Sequence, residues 1–307
     1  MSNQQGGSRS FNLAEVNSAI AGTEFHGWLM NFPTVSSTSD LALQAAQAGA
    51  RHGVWIADEQ IAGRGRGGHA WHSPARTDDA PAGLYMTALI SPPVPMQSAL
   101  RLSFRVALAV QSAIASTFGF RIREQIDIRW PNDLMLAGAN GPARKCGGIL
   151  IDTASNPAAP PLPAVLRYAI IGIGINLNHT RFPPDLDPIA TSLRRELPGG
   201  PMLRPESFTR SVEKGTKCLR REPLTAAILI ALDAEIRALT SNLEPRTSNL
   251  TQFSSWLQGK RVRIEARDED HGGYTGTTAG LNPQGFLLVA GDDGQLHTVL
   301  SGGLREP

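Results

Sequence analysis

The sequence predicts an α+β protein: a large domain in which strands of one sheet alternate with helices, then two helices, then a small all-β barrel. Three observations carry this prediction. Apolar runs of strand length recur between about residues 54 and 175, with helical patterns between them. Residues 205–221 and 223–239 read as two consecutive helices. After Trp256 the texture changes to short strands separated by Gly, Asn and Asp. With 307 residues, 41% of them hydrophobic, the chain can bury one sizeable core and a second small one. The expected division is a flexible N-terminus at 1–25, a main domain at 26–250 and the barrel at 251–307.

Within the main domain, Ser36-Ser37-Thr38-Ser39-Asp40 offers helix N-caps, residues 41–48 are rich in Ala and Leu, and Gly49 stands where a C′ residue belongs. Residues 54–57 and 84–90 read as buried strands, the second ended by Ser91-Pro92-Pro93. Residues 98–118 give the best helix, with Leu100, Phe104, Ala107, Leu108 and Ile114 at helical spacing and Gly119 after them. Residues 126–130, 146–153 and 169–175 read as three further strands of the same sheet. A linker follows at 240–251, in which Thr-Ser-Asn-Leu occurs twice, at 240 and 247. In the barrel, strands are expected at 261–265, 275–279, 286–290 and 296–300.

Charge and cysteines restrict the function. The formal net charge is +2, from 29 basic and 27 acidic residues. That balance argues against a dedicated nucleic-acid binder. Cys146 and Cys218 match neither a metal site nor a disulfide scaffold, so a reduced cytoplasm is expected and no resident metal site. The opening residues MSNQQGGSRS lack the apolar stretch of a signal peptide, and no run of 18 apolar residues suits a membrane span.

Four segments carry chemistry. The first is Gly63-Arg64-Gly65-Arg66-Gly67-Gly68-His69-Ala70-Trp71-His72-Ser73-Pro74. Its glycines satisfy the dinucleotide spacing, but residues 69–74 do not look like the helix that fingerprint needs. It reads instead as a flexible backbone bearing two guanidinium forks suited to phosphate or carboxylate, or as a solvated basic loop. The second is Arg129-Trp130-Pro131-Asn132-Asp133-Leu134, a turn with an amide beside a carboxylate. The third, Lys145-Cys146-Gly147-Gly148-Ile149-Leu150, opens an apolar strand with a lysine. The fourth, Gly172-Ile173-Gly174-Ile175-Asn176, bares one strand face, where a flat ring such as adenine can lie or a helix can pack.

In this order and spacing the four segments resemble the biotin protein ligase family, and Ser37-Thr38-Ser39 stands where that family carries a Ser-Thr-Asn turn. The resemblance runs from about Ser36 to Asn178, and the terminal barrel matches the family's small C-terminal domain. It implies a mixed β-sheet flanked by helices, of class II synthetase type, with an SH3-like barrel. It also implies an ATP-dependent ligase that makes biotinyl-5′-AMP and passes biotin to a lysine of a biotin carboxyl carrier protein. A lipoate or octanoate ligase of the same fold is the alternative.

Position by position, the resemblance places Ser37, Thr38, Ser39 and Gln60 on biotin. Arg64, Gly65 and Arg66 fall in a loop that closes over biotin and the adenylate. Lys145 falls at the biotin carboxylate and α-phosphate, Asn132 and Asp133 near the phosphates and the acceptor lysine, and Trp71 and Asn176 at the nucleotide. Asp133 would orient the acceptor amine or take its proton. Ser39 departs from the family asparagine, and Gly67 from a common arginine. Mg²⁺ is expected with ATP. No specific nucleic acid or membrane is expected as partner; a homodimer is compatible. The segment before Thr34 is too short for the helix-turn-helix domain of the repressor type.

Overall fold

The computed structural model describes residues 10–78, 80–96, 102–138, 141–156, 164–196, 218–241, 254–265, 273–282, 285–299 and 303–305. Its centre is a seven-stranded mixed sheet. In chain order the strands are β1 (Leu29–Val35), β2 (Gly53–Gln60), β5 (Gly83–Ile90), β6 (Ile126–Arg129), β7 (Asp133–Leu136), β8 (Arg144–Asn156) and β9 (Val165–Asn176). Across the sheet they run β1-β2-β5-β9-β8-β7-β6. Only β1 and β2 are parallel, as the helix between them, α2 (Thr38–Gln47), requires; the other neighbours are antiparallel. A short hairpin, β3 (Arg76–Thr77) with β4 (Ala80–Pro81), lies between β2 and β5.

The strands alternate faces with period two. On one face Val54, Ile56, Leu84, Met86, Ile171 and Ile173 enter the main core with helices α3 (Leu102–Phe118), α4 (Phe120–Gln125) and α6 (Arg221–Thr240). On the other, Trp55, Leu89, Tyr168 and Ile170 pack under Ala42 and Ala46 of α2. Between α2 and the end of the sheet that second face stays open, and the candidate site lies there. A small helix α5 (Leu193–Glu196) follows β9.

Several expectations shift. Residues 1–9 lie outside the described residues, but from Ser10 on the N-terminal segment is not loose. Helix α1 (Leu13–Ala19) is capped by Asn12, whose side chain accepts from Glu15 N, and Phe11, Val16, Ile20 and Phe25 are buried. Burying four apolar side chains offsets the ordering cost that the polar opening residues suggested would prevail. Strand β1 is not among the expected strands; it carries Pro33, which is tolerated because β1 is an edge of the sheet. Helix α6 starts two residues before Pro223, which sits in the first turn, where its missing N–H is harmless. The expected helix at 205–221 lies largely outside the described residues, as does most of the 240–251 linker.

The C-terminal unit is a five-stranded antiparallel sheet, β10 (Gln258–Glu265), β11 (Tyr274–Leu281), β12 (Leu287–Gly291), β13 (Leu296–Val299) and β14 (Gly303–Arg305), in the order β13-β12-β11-β10-β14. Val262, Ile264, Leu287, Val289, Val299 and Leu304 fill it. This is the expected small SH3-like barrel, with the last, three-residue strand added.

Candidate active site

The open face is made by glycine. On β9, Ile171, Ile173 and Ile175 point into the core, so Gly172 and Gly174 face the cleft; on β8, Gly148 lies directly opposite Gly174. A side chain at these positions would fill the space. A Cβ on Gly172 would lie 2.8 Å from Ser39 Oγ, and one on Gly174 would lie 2.5 Å from Trp71 Nε1. The bare face thus carries the indole of Trp71 over Gly174 and Gly148, where the sequence suggested a flat ring could lie.

The N-terminus of α2 builds one wall. Ser37 caps the helix by accepting from Ser39 N at 3.2 Å. Thr38 gives both its backbone N–H and its hydroxyl to Gln60 Oε1, at 2.9 and 3.0 Å. Gln60 Nε2 in turn donates to Ser73 Oγ, which donates to the Trp71 carbonyl. Thr87 of β5 joins the hydroxyls of Thr38 and Ser39 at 2.8 and 3.2 Å. These buried polar groups satisfy one another and fix the wall before any ligand arrives.

The Gly/Arg segment forms the other wall as a tight hairpin. Trp71 N donates to Gly63 O at 2.8 Å and Gly65 N to His69 O at 2.7 Å. A short 3₁₀ turn at Arg66–Gly68 closes it, with Gly67 and Gly68 at positive φ, so the dinucleotide-type helix is indeed absent. Arg64 ties the hairpin down through Asp40 of α2 at 3.1 Å and Asp152 of β8 at 3.2 Å. Those pairs are more than a third exposed, so each is weak and open to exchange for another anion.

The floor near β7 holds partly buried charge. Lys145 Nζ lies 2.5 Å from Asp133 Oδ1, and Arg129 Nη2 lies 2.7 Å from Oδ2. Burial alone would raise the Asp133 carboxyl; Lys145 and Arg129 outweigh it and hold the carboxyl below the usual carboxylate range. Lys145 Nζ also stands 5.4 Å from the Trp71 ring centroid. Asn132 Nδ2 donates to Ile149 O at 2.6 Å, pinning the turn to β8.

Ser37, Thr38, Ser39, Gln60, Arg64, Gly65, Arg66, Trp71, Asn132 and Lys145 therefore line one cleft, with about 450 Å³ of empty space open to solvent. Two expected residues stand elsewhere. Asn176 is buried at the end of β9, where its Nδ2 donates to Thr191 O at 3.0 Å and ties the strand to a loop. Asp133 lies beneath Lys145. Its two oxygens pair with Lys145 and Arg129.

Sequence reasoning missed Thr87, Ser73, Asp40 and Asp152. For Thr87 a signal existed: a hydroxyl inside the otherwise apolar run Leu84-Tyr85-Met86-Thr87-Ala88-Leu89. Arg129 stood in a noted segment without a role. Among the described residues no cluster of three His, Cys, Asp or Glu could hold a metal, and no helix is long and apolar enough to cross a membrane. Cys146 and Cys218 are both buried.

Residues 32–176 match the Biotin/lipoate A/B protein ligase family, and residues 258–302 match the Biotin protein ligase C terminal domain. The chain is 36% identical over 264 residues to a bifunctional ligase/repressor, BirA, of Bacillus spizizenii, covering 85% of this chain and 68% of that protein. It is 28% identical over 271 residues to a biotin–[acetyl-CoA-carboxylase] ligase of Mycobacterium tuberculosis, covering 88% of this chain and 85% of the other. Its fold superposes on the biotin protein ligase from Aquifex aeolicus in complex with biotin and ATP, with a TM-score of 0.63 at 22% identity, covering 92% of this chain and all of that one. The glycine-floored cleft, its arginine hairpin and the terminal barrel all lie within these matches, and the chain belongs to the biotin protein ligase family.

Proposed function

We propose that the chain joins biotin to ATP as biotinyl-5′-AMP and then transfers the biotinyl group to a lysine of a biotin carboxyl carrier protein. The observation that carries this reading is a cleft in which two arginines and Lys145 face a prebuilt wall of hydroxyls and an amide. A carboxylate is a poor acyl donor because its leaving group is oxide. In the first step a biotin carboxylate oxygen attacks the α-phosphorus of ATP, the α–β bridging P–O bond breaks, and pyrophosphate leaves.

Negative charge gathers on phosphate oxygens as this happens, and fixed cations in a desolvated site stabilise it. Lys145 is held at the floor and the arginines arrive from the hairpin above. In the second step a neutral carrier amine attacks the acyl carbon, the bond to AMP breaks, and AMP leaves as the amine loses a proton. The Arg64 hairpin, tied to Asp40 and Asp152, would keep water from the anhydride meanwhile.

Mg²⁺ carried by the triphosphate and water would neutralise phosphate charge in the first step. The match of residues 258–302 to a biotin protein ligase domain favours biotin over lipoate. The test is to mix the protein, ATP, labelled biotin and a biotin carrier domain. Label on the carrier lysine is expected. Absence of label, or label with lipoate but not with biotin, would refute the reading.

A further inference from the structure

The barrel is not merely adjacent to the main domain. β6 is the edge strand of the seven-stranded sheet, with β7 as its one sheet partner, and the chain entering the barrel is clamped on it. Ser254 Oγ donates to Ile128 O at 2.6 Å, Ser255 N donates to Asp127 Oδ1 at 3.1 Å, and Ser255 Oγ also donates to Asp127. Trp256 follows, buried with 4% of its surface exposed. Two cations lie over its ring: Arg129 with Cζ 5.7 Å from the centroid and Lys260 with Nζ 4.8 Å away.

Arg129 is the last residue of β6 and pairs across the hairpin with Asp133, the first residue of β7. One continuous set of contacts therefore runs from the barrel to the cleft: Trp256 to Arg129, Arg129 to Asp133, Asp133 to Lys145. We propose that Arg129 is a positioning residue for Lys145, and that Trp256 makes the seating of the barrel part of that positioning.

The physical argument is a competition for one carboxylate. An ammonium has three donors and no preferred plane, so a lone Asp–Lys pair can swivel, with the lysine straddling both oxygens. Arg129 takes Oδ2 and fixes the plane of the carboxyl group. Lys145 is then confined to Oδ1, on the side that faces Trp71 and the cleft. The guanidinium is itself set by Trp256, whose face attracts it. An error of about 1 Å in a charge meant for a phosphate oxygen is enough to slow a reaction on the order of 100-fold.

This inference rests on the ligase reading above, and the test separates the two. Biotin-dependent pyrophosphate release is measured on the full chain for wild type, Arg129→Ala, Arg129→Lys, Trp256→Phe and the double variant Arg129→Ala/Trp256→Phe. The expected result for Arg129→Ala is a kcat lower by roughly 10- to 100-fold, up to the cost of a displacement of about 1 Å, with KM for biotin and the thermal midpoint near wild type. Arg129→Lys should retain part of the rate, and free guanidinium should restore part of it to Arg129→Ala. Trp256→Phe should lower kcat less, and should lower it no further in the Arg129→Ala background.

Wild-type kcat in Arg129→Ala would overturn the proposal. So would equal losses of kcat and thermal midpoint without guanidinium rescue, and so would additive effects of the two substitutions. If Arg129→Ala does not fold, Arg129→Lys and Trp256→Phe carry the same cycle. A wild-type protein that releases no pyrophosphate would instead refute the ligase reading itself.

Discussion

Gly174→Ala is the sharpest test of how the cleft is built. β9 is held by β5 on one side and β8 on the other, so its backbone cannot retreat. The new Cβ would lie 2.5 Å from Nε1 and 2.6 Å from Cε2 of Trp71, a rigid indole with no distal rotor to give way. The hairpin bearing Trp71 must lift. Overpacking of this kind costs about 1–3 kcal/mol. Charged to the closed hairpin alone, that lowers its population about 5- to 150-fold relative to the open one.

Gly172→Ala is the matched control. Its Cβ would lie 2.8 Å from Ser39 Oγ, a hydroxyl on a single rotor that can turn away without moving the hairpin. Trypsin cleavage after Arg64 and Arg66 reads out the opening directly. Cleavage should be markedly faster in Gly174→Ala, near wild type in Gly172→Ala, and the global thermal midpoint should change little in either. Equal cleavage rates in the two variants, or a lost thermal midpoint in Gly174→Ala with protected arginines, would refute the reasoning.

Three further outcomes are expected. Lys145→Ala should lower adenylate formation about 30- to 1000-fold, the effect of roughly 2–4 kcal/mol for a charged contact in a water-poor site, measured by pyrophosphate release. Asp133→Asn should lower the same rate but leave the shape of its pH profile above pH 6 unchanged, because a carboxyl held below its ordinary range is ionised throughout; a limb near neutrality that vanishes in the variant would support the base role. His179 is buried, stacked on Phe182 at 4.9 Å and 6.1 Å from His72, and burial and His72 hold its pKa down to about 4. The neutral ring is thus preferred in the fold. Its contribution is present above the unfolded value near 6.5 and fades as pH falls from there through about 4, by up to about 3 kcal/mol. His179→Gln should flatten the fall in thermal midpoint between pH 7 and pH 4.5; an unchanged slope would count against it.

The chemistry-bearing segments were legible because each is local: a glycine-spaced arginine run, a Trp-Pro-Asn-Asp turn, a lysine opening a strand, alternate glycines in another strand. Period two even tells which face of β9 is bare. What decided the fate of Asn176 was not local, since its amide is spent on Thr191, fifteen residues away in a loop that no spacing rule brings to the strand end. Asp152 and Asp40 were missed for the same reason: their partner Arg64 reaches them only once the hairpin folds over the sheet. Arg129 opposite Asp133 is a cross-strand charge pair, readable only if the turn is taken as a hairpin with fixed register. Helix α1 did carry a local sign, Asn12 three residues before Glu15 ahead of Val16 and Ile20, but the polar residues before it masked the pattern.

The central claim is that this cleft activates biotin as an acyl adenylate. Exchange of labelled pyrophosphate into ATP, run without any carrier protein, isolates that step from transfer. The account predicts exchange that requires biotin, is not supported by lipoate, and falls to near background in Lys145→Ala. Exchange that is absent in the wild type, proceeds without biotin, or survives intact in Lys145→Ala would contradict it.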